Sequence, residues 1–167
     1  MKGRILKAAA CLAIAVLGAL SLLMRTPYLM LVSAQTGQVL HIARTCEIEG
    51  FSISHIHSLH QSPVLEIYTI RDGQIMLIAL EFETFGAGLP EVLEPGQTLT
   101  RLETGGLRID GFERPIADLR YLIGHTAEHT LHLAGQDIPL NTLDCAGQSV
   151  RFIPRRLNVW QRLYFKR

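Results

Sequence analysis

Histidine dominates the chemistry this chain offers. It has seven in 167 residues, and six fall in two groups: His55, His57 and His60, then His125, His129 and His132. A His-x-His pair on a strand turns both rings to one side, a spacing that suits zinc ligands. Glu66 and Glu81 are the carboxylates that strand pairing could bring to the first group. Neither group has the HExxH pattern, and a histidine on an apolar strand face is more often a core residue or a pocket wall than a ligand, so no metal and no other cofactor is expected. Ser58 follows His57. With Glu66 as orienter and His129 as base, the residue types of a hydrolase triad are present. No GxSxG elbow surrounds Ser58, however, and neighbours on a strand point to opposite faces, so His57 itself is poorly placed as its base. The expectation is therefore that the protein is not an enzyme. FGAGLP, Phe85 to Pro90, reads as a tight corner in which Gly86 and Gly88 supply unusual backbone angles; the alternative is an anion cradle of backbone N–H groups.

The elements that must position these residues read as strands. Phe51–His57 alternates, with Phe51, Ile53, His55 and His57 on one side and Ser52 and Ser54 on the other. Val64–Ile70 and Gln74–Glu83 flank Arg71-Asp72-Gly73, and Asp-Gly between apolar runs is a strong hairpin signal because both turn residues need positive φ. A two-residue turn there places Leu65 opposite Leu80, Ile67 opposite Ile78 and Thr69 opposite Met76, an apolar face expected to be the main core. The other face carries Val64, Glu66 and Tyr68. If the Phe51–His57 strand pairs with Val64–Ile70 so that His55 faces Glu66 and His57 faces Val64, then His55, His57, Glu66 and Glu81 share a face. A one-residue slip would scatter them. Further strands are expected at Tyr28–Ser33, Gln38–Arg44, Thr98–Glu103, Leu107–Ile109, Asp118–Ile123, Glu128–Leu133, Ile138–Leu140 and Gln148–Ile153. No stretch of this region shows ten residues of helical periodicity. The fold class is all-β, a single small barrel or sandwich of about ten short antiparallel strands.

Composition bounds the partners. Apolar residues are 48% and charged residues 19% of the chain, enough for a real core and too few charges for a disordered protein. A net charge of +1 gives no electrostatic case for nucleic acid. Residues 1–25 differ in kind: Lys2, Arg4 and Lys7 precede an uncharged run from Ala8 to Met24. As a helix that run spans about 25 Å, near the lower limit for a bilayer. It reads as a transmembrane signal anchor or a signal peptide, with the domain, residues 26–154, facing outward. Val32-Ser33-Ala34 would serve as a cleavage site, but cutting there removes an expected strand. Localisation is therefore inner-membrane anchored with the domain on the periplasmic side, or secreted to the periplasm. Cys46 and Cys145 either pair, closing about 100 residues for up to about 4–5 kcal/mol, or stay as thiols. The tail, residues 155–167, is basic and aromatic. It reads either as a helix resting on a membrane surface or as a last strand or solvated end.

HSLHQSPVLE, FGAGLP some twenty residues later, and EHTL at Glu128–Leu131 together resemble a bacterial domain family without an assigned mechanism. Its genes neighbour, or its domain is fused to, TAXI-type TRAP solute transporters. The resemblance covers roughly Tyr28 to Ile153. It implies a non-enzymatic extracytoplasmic accessory of such a transporter, with the permease or its solute-binding protein as partner. It also singles out His57, Ser58, Glu66, Phe85, Gly86, Gly88, Pro90 and His129 as ligand- or partner-binding positions. Thr84 and His60 depart from the family pattern, which sets His60, and with it His55 and His132, outside that set. The alternatives are a small-ligand or metal-binding module with a His/Glu-lined face, and a hydrolase.

Overall fold

The computed structural model describes residues 2–45, 50–57, 61–85, 89–90, 92–124, 127–143, 145 and 147–165. The chain runs α1 (Lys2–Leu23), β1 (Thr26–Ser33), β2 (Val39–Arg44), β3 (Phe51–Ile56), β4 (Pro63–Arg71), β5 (Gln74–Phe82), β6 (Thr98–Arg101), β7 (Leu107–Ile116), β8 (Arg120–Leu122), β9 (Thr130–Leu133), β10 (Gln136–Pro139), a 3-10 turn at Leu140–Thr142, β11 (Ser149–Leu157) and α2 (Val159–Phe165). The strands form two antiparallel sheets with orders β2-β1-β11-β8 and β10-β9-β3-β4-β5-β7-β6. The all-β expectation holds. Neither sheet closes on itself, so the barrel alternative falls and two facing sheets remain.

The sheets meet over one apolar cluster. Leu29, Leu31, Val150 and Phe152 of the small sheet pack with Phe51, Ile53, Tyr68, Ile70, Leu131 and Leu133 of the large one. Burying one such side chain stabilises by about 1.5–3 kcal/mol. The small sheet also covers its outer face: Tyr28, Met30, Val32 and Leu157 pack with Phe165 of α2. That explains why six consecutive residues of β1, Tyr28–Ser33, are all buried. β1 lies between β2 and β11, so cleavage after Ala34 would remove a central strand. Val64, Leu80, Phe82, Ile109 and Phe112 form a separate cluster at the far end of the large sheet.

The β4–β5 hairpin turns where expected, with Asp72 and Gly73 at φ 51° and 75°. Near the turn Thr69 faces Met76 and Tyr68 faces Leu77, but beyond it Ile78 bulges out, and Ile67 then faces Ala79 and Glu66 faces Leu80. The extra residue exchanges the two faces of β5. The buried face of β4 is Val64, Tyr68 and Ile70, while Leu65 and Ile67, expected in the core, are only half-buried. That expectation is corrected: alternation cannot reveal a bulge.

Two further corrections concern the chain ends. α1 forms over the N-terminal run, but among the described residues no helix is long and apolar enough to cross a membrane; the uncharged run, at about 25 Å, falls short of a hydrocarbon core of about 30 Å. The tail is not a separate segment from 155, because β11 continues to Leu157 and only then does α2 begin. Cys145 is fully buried, with its Sγ 2.9 Å from the Leu140 carbonyl oxygen. The Cys46 half of the expected disulfide lies outside the described residues.

Candidate functional site

The inner face of the large sheet carries a polar cluster where the two sheets meet. β4 presents Glu66 and Tyr68 inward, β3 presents His55, and the segment before β9 presents His129. Tyr121 of β8 reaches across from the small sheet. β3 and β4 pair with His55 opposite Val64 and Ile53 opposite Glu66, two residues away from the expected register. A two-residue shift preserves sidedness, so His55 and Glu66 do share a face. Glu81 does not. It points outward and pairs with Arg108 at 2.7 Å, so the expected four-residue face is corrected.

Tyr121 donates a very short hydrogen bond to Glu66 Oε2. The Tyr68 hydroxyl lies 2.7 Å from that of Tyr121 and, since the Tyr121 proton is engaged with the carboxylate, Tyr68 is the donor. Burial, followed by the charge of Glu66, raises the Tyr68 phenol; burial, with Tyr68 and then Glu66, raises Tyr121. Both stay protonated, so Tyr68 donates to Tyr121 and Tyr121 donates to a carboxylate between the sheets.

The His55 and His129 rings stack with centroids 5.4 Å apart, and Tyr121 meets His129 edge-on, also at 5.4 Å. Burial, then the neighbouring His55, pulls His129 down to about 4. Burial also lowers His55, with Glu66 opposing and His57 adding to the shift. Both rings are neutral at pH 7. Their Nδ1 atoms are buried and have no hydrogen-bond partner among the described residues. An unsatisfied buried polar atom costs about 1–3 kcal/mol, and two on stacked rings mark a place where a ligand with polar atoms would be favoured.

Of the other positions singled out by sequence, His57, Phe85 and Pro90 are among the described residues. His57 closes the loop after β3: its N–H donates to the Ser62 carbonyl and its carbonyl accepts from Gln61, both at 2.9 Å. Phe85 packs edge-on against Phe82 at 5.2 Å, and Leu89 packs on the cluster containing Val64 and Phe82, which brings the flanks of FGAGLP toward the same end of β4. Pro90 is half-buried. Ser58, Gly86 and Gly88 lie outside the described residues. No group of three or more His, Cys, Asp or Glu converges as metal ligands among the described residues.

Sequence reasoning missed Tyr68 and Tyr121, and on the opposite face of the same sheet it missed a second constellation. Ser54 Oγ lies 2.8 Å from His132 Nε2, and His132 Nδ1 lies 2.6 Å from Asp137 Oδ1. The signal for the first pair was the parity of Tyr68 with Glu66. For the second it was the outward alternation of Ser54 and His132 on their strands.

A two-sheet β domain with a Glu–Tyr–Tyr tie and a stacked histidine pair between its sheets is the class that fold and site define. The chain belongs to the DUF1850 family, a domain of unknown function, which it matches over residues 51–140, more than half its length. That span runs from β3 to the end of β10 and includes both constellations. No curated protein and no solved structure matches it.

Proposed function

We propose that the protein is a membrane-attached, extracytoplasmic accessory domain that works by binding, beside a solute transporter of the TAXI-type TRAP class. The observation that carries the membrane attachment is the exposed apolar end built by α1 and α2. Leu12, Ile14 and Leu23 of α1 are 67%, 70% and 76% exposed. Trp160 of α2 is 58% exposed, and its Nε1 donates to Ser21 Oγ at 3.1 Å, joining the two helices. Leu163 and Tyr164 continue the surface. So large an apolar surface needs a cover. Indole and phenol rings beside arginines, here Arg155, Arg156 and Arg162, suit the bilayer interface. Attachment in this sense requires embedding and not a full span. The transporter partner and the outward sidedness are supported by the HSLHQSPVLE and FGAGLP resemblance and by the lysines and arginine ahead of α1's apolar run.

The test is fractionation of cells producing the full chain, followed by gentle extraction. The protein is expected in the membrane fraction, accessible to protease from the periplasmic side and co-purifying with a TRAP permease or binding protein. A protein recovered in the soluble fraction, or one that runs alone after extraction and whose loss leaves solute uptake intact, overturns the proposal.

A second reading has its own support, the Nδ1 atoms of His55 and His129, which have no partner among the described residues: a pocket for a small polar ligand. A thermal-shift screen of carboxylates and amino acids should then find a stabiliser whose effect disappears in His129→Gln. No stabiliser in the screen removes this reading.

A further inference from the structure

The outer face of the large sheet brings three side chains from three strands into one chain of hydrogen bonds. Ser54 is on β3, His132 on β9 and Asp137 on β10, strands that lie side by side in the sheet. Ser52 lies opposite His132 and Ser54 opposite Thr130 in one register, while His132 lies opposite Asp137 in the next. All three side chains therefore project to the same side. Ser54 Oγ is 2.8 Å from His132 Nε2, and Asp137 Oδ1 is 2.6 Å from His132 Nδ1. The carboxylate can only accept, so Nδ1 carries the proton and Nε2 accepts from the serine hydroxyl. This is the order of contacts, nitrogen by nitrogen, by which a buried or exposed serine is made nucleophilic.

The surroundings suit a substrate. His132 lines two clefts that meet at it. One, of about 440 Å³, is lined by Ser54 itself and by the apolar Pro63, Val64, Leu65 and Phe82. The other, of about 510 Å³, runs over Ser52, Ala134, Gly135 and Asp137. A molecule lying across both would place an apolar arm in the first and a polar portion in the second, with its reacting carbon over Ser54. The turn that sets β10 beside β9 has Ala134 and Gly135 at φ 51° and 73°, the tight two-residue geometry that fixes which residue meets His132.

We propose that Ser54, His132 and Asp137 form a nucleophilic relay that accepts an acyl group from an ester or thioester with a short apolar acyl arm. This goes beyond the accessory role and does not rest on it. The Ser54 Oγ–C bond forms as the hydroxyl proton passes to His132 Nε2 and the carbonyl π pair moves to its oxygen. Collapse breaks the bond to the leaving alcohol or thiol, which takes the proton from Nε2. Water then repeats the two steps to release the acid. Asp137 is a positioning residue throughout, holding Nδ1–H. β3 is paired on both sides, with β4 and with β9, so its backbone N–H groups belong to the ladder and offer no oxyanion pocket. The expected reaction is accordingly slow, and is better read as covalent labelling than as turnover.

The experiment incubates the full chain with an alkyl fluorophosphonate, which forms an Oγ–P bond and expels fluoride, and locates the adduct by peptide mass spectrometry. One adduct is expected, on the peptide containing Ser54. It should be absent in Ser54→Ala, slowed ~10-fold or more in His132→Gln, slowed in Asp137→Asn and restored in Asp137→Glu. p-Nitrophenyl butyrate should protect the wild-type chain. Circular dichroism melts of each variant separate lost reactivity from lost fold. No adduct on Ser54 of the wild-type chain overturns the proposal, as does wild-type labelling in folded His132→Gln or Asp137→Asn.

Discussion

β3 carries two neighbouring residues into opposite worlds. His55 points between the sheets, where His129, Tyr121, Tyr68 and Glu66 surround it; Ser54 points outward to His132 and Asp137. Both sides combine imidazole, hydroxyl and carboxylate, yet the physics differs. Inside, burial dominates: it holds two phenols protonated and two histidines neutral, and leaves two ring nitrogens without partners among the described residues. Outside, the His132 and Asp137 side chains are 33% and 75% exposed, and Ser54, His132 and Asp137 hydrogen-bond in sequence. The same three chemistries make a costly structural tie in one place and an accessible relay in the other. Residue type alone is a poor guide to which is which; sidedness decides.

The contrast is broken most directly at the inner face. Tyr121→Phe strands the Glu66 carboxylate, and a loss of about 3 kcal/mol in urea unfolding is expected, whereas Glu66→Ala, which leaves the Tyr121 and Tyr68 hydroxyls facing an emptied site, should cost about 1–3 kcal/mol. A Glu66→Ala protein as stable as wild type would mean the tie does not join the sheets.

A smaller effect follows from His129. Its ordinary value is 6.5 and its folded value about 4, so between those two the unfolded chain binds a proton that the folded chain refuses. Stability present above pH 6.5 is lost as pH falls toward 4, by about 2 kcal/mol between pH 7 and pH 5. His55 and His41, both lowered by burial, act in the same direction. Urea midpoints at the two pH values should show the drop, and His129→Gln should reduce it. A slope unchanged by that substitution would place the titration elsewhere.

The smallest effect belongs to the outer face. Ser54→Ala and Asp137→Asn should each change unfolding free energy by no more than about 0.5 kcal/mol, because surface hydrogen bonds exchange readily with water. A loss of several kcal/mol from either would make the outer constellation structural and erase the contrast.

Much of the frame was legible from sequence because its signals are local. Asp72-Gly73 declared its own turn, and Phe51–Ile56 declared its alternation. Non-local facts were not legible. Nothing near Tyr121 in sequence indicates that β8 would bring its hydroxyl to Glu66. Ser54 and His132 meet only because β9 pairs with β3 across more than seventy residues. Ala134 hides a turn, since alanine rarely adopts its positive φ. The β4–β5 core face was inverted for a different reason: alternation is read one strand at a time, and the bulge at Ile78 exists only between strands. Burial is likewise what separates His129, drawn into the core, from His132 three residues later on the open face.

That bulge also bears on how relatives of this chain can differ in length. If Ile78 were deleted, Leu77 would still face Tyr68, and Ala79, Leu80 and Phe82 would still face Ile67, Glu66 and Val64, now in unbroken alternation. The β4 side of the hairpin thus has no need of the residue. The need comes from β7, where Leu77 faces Arg114 and Ala79 faces Asp110, with Gly111, Phe112 and Glu113 between them. At Gly111, φ is 87° and a Cβ would lie 2.3 Å from the Gly96 carbonyl oxygen. A gap in an alignment at position 78 should therefore be matched by a shortened stretch at 111–113, two changes more than thirty residues apart that make sense only together.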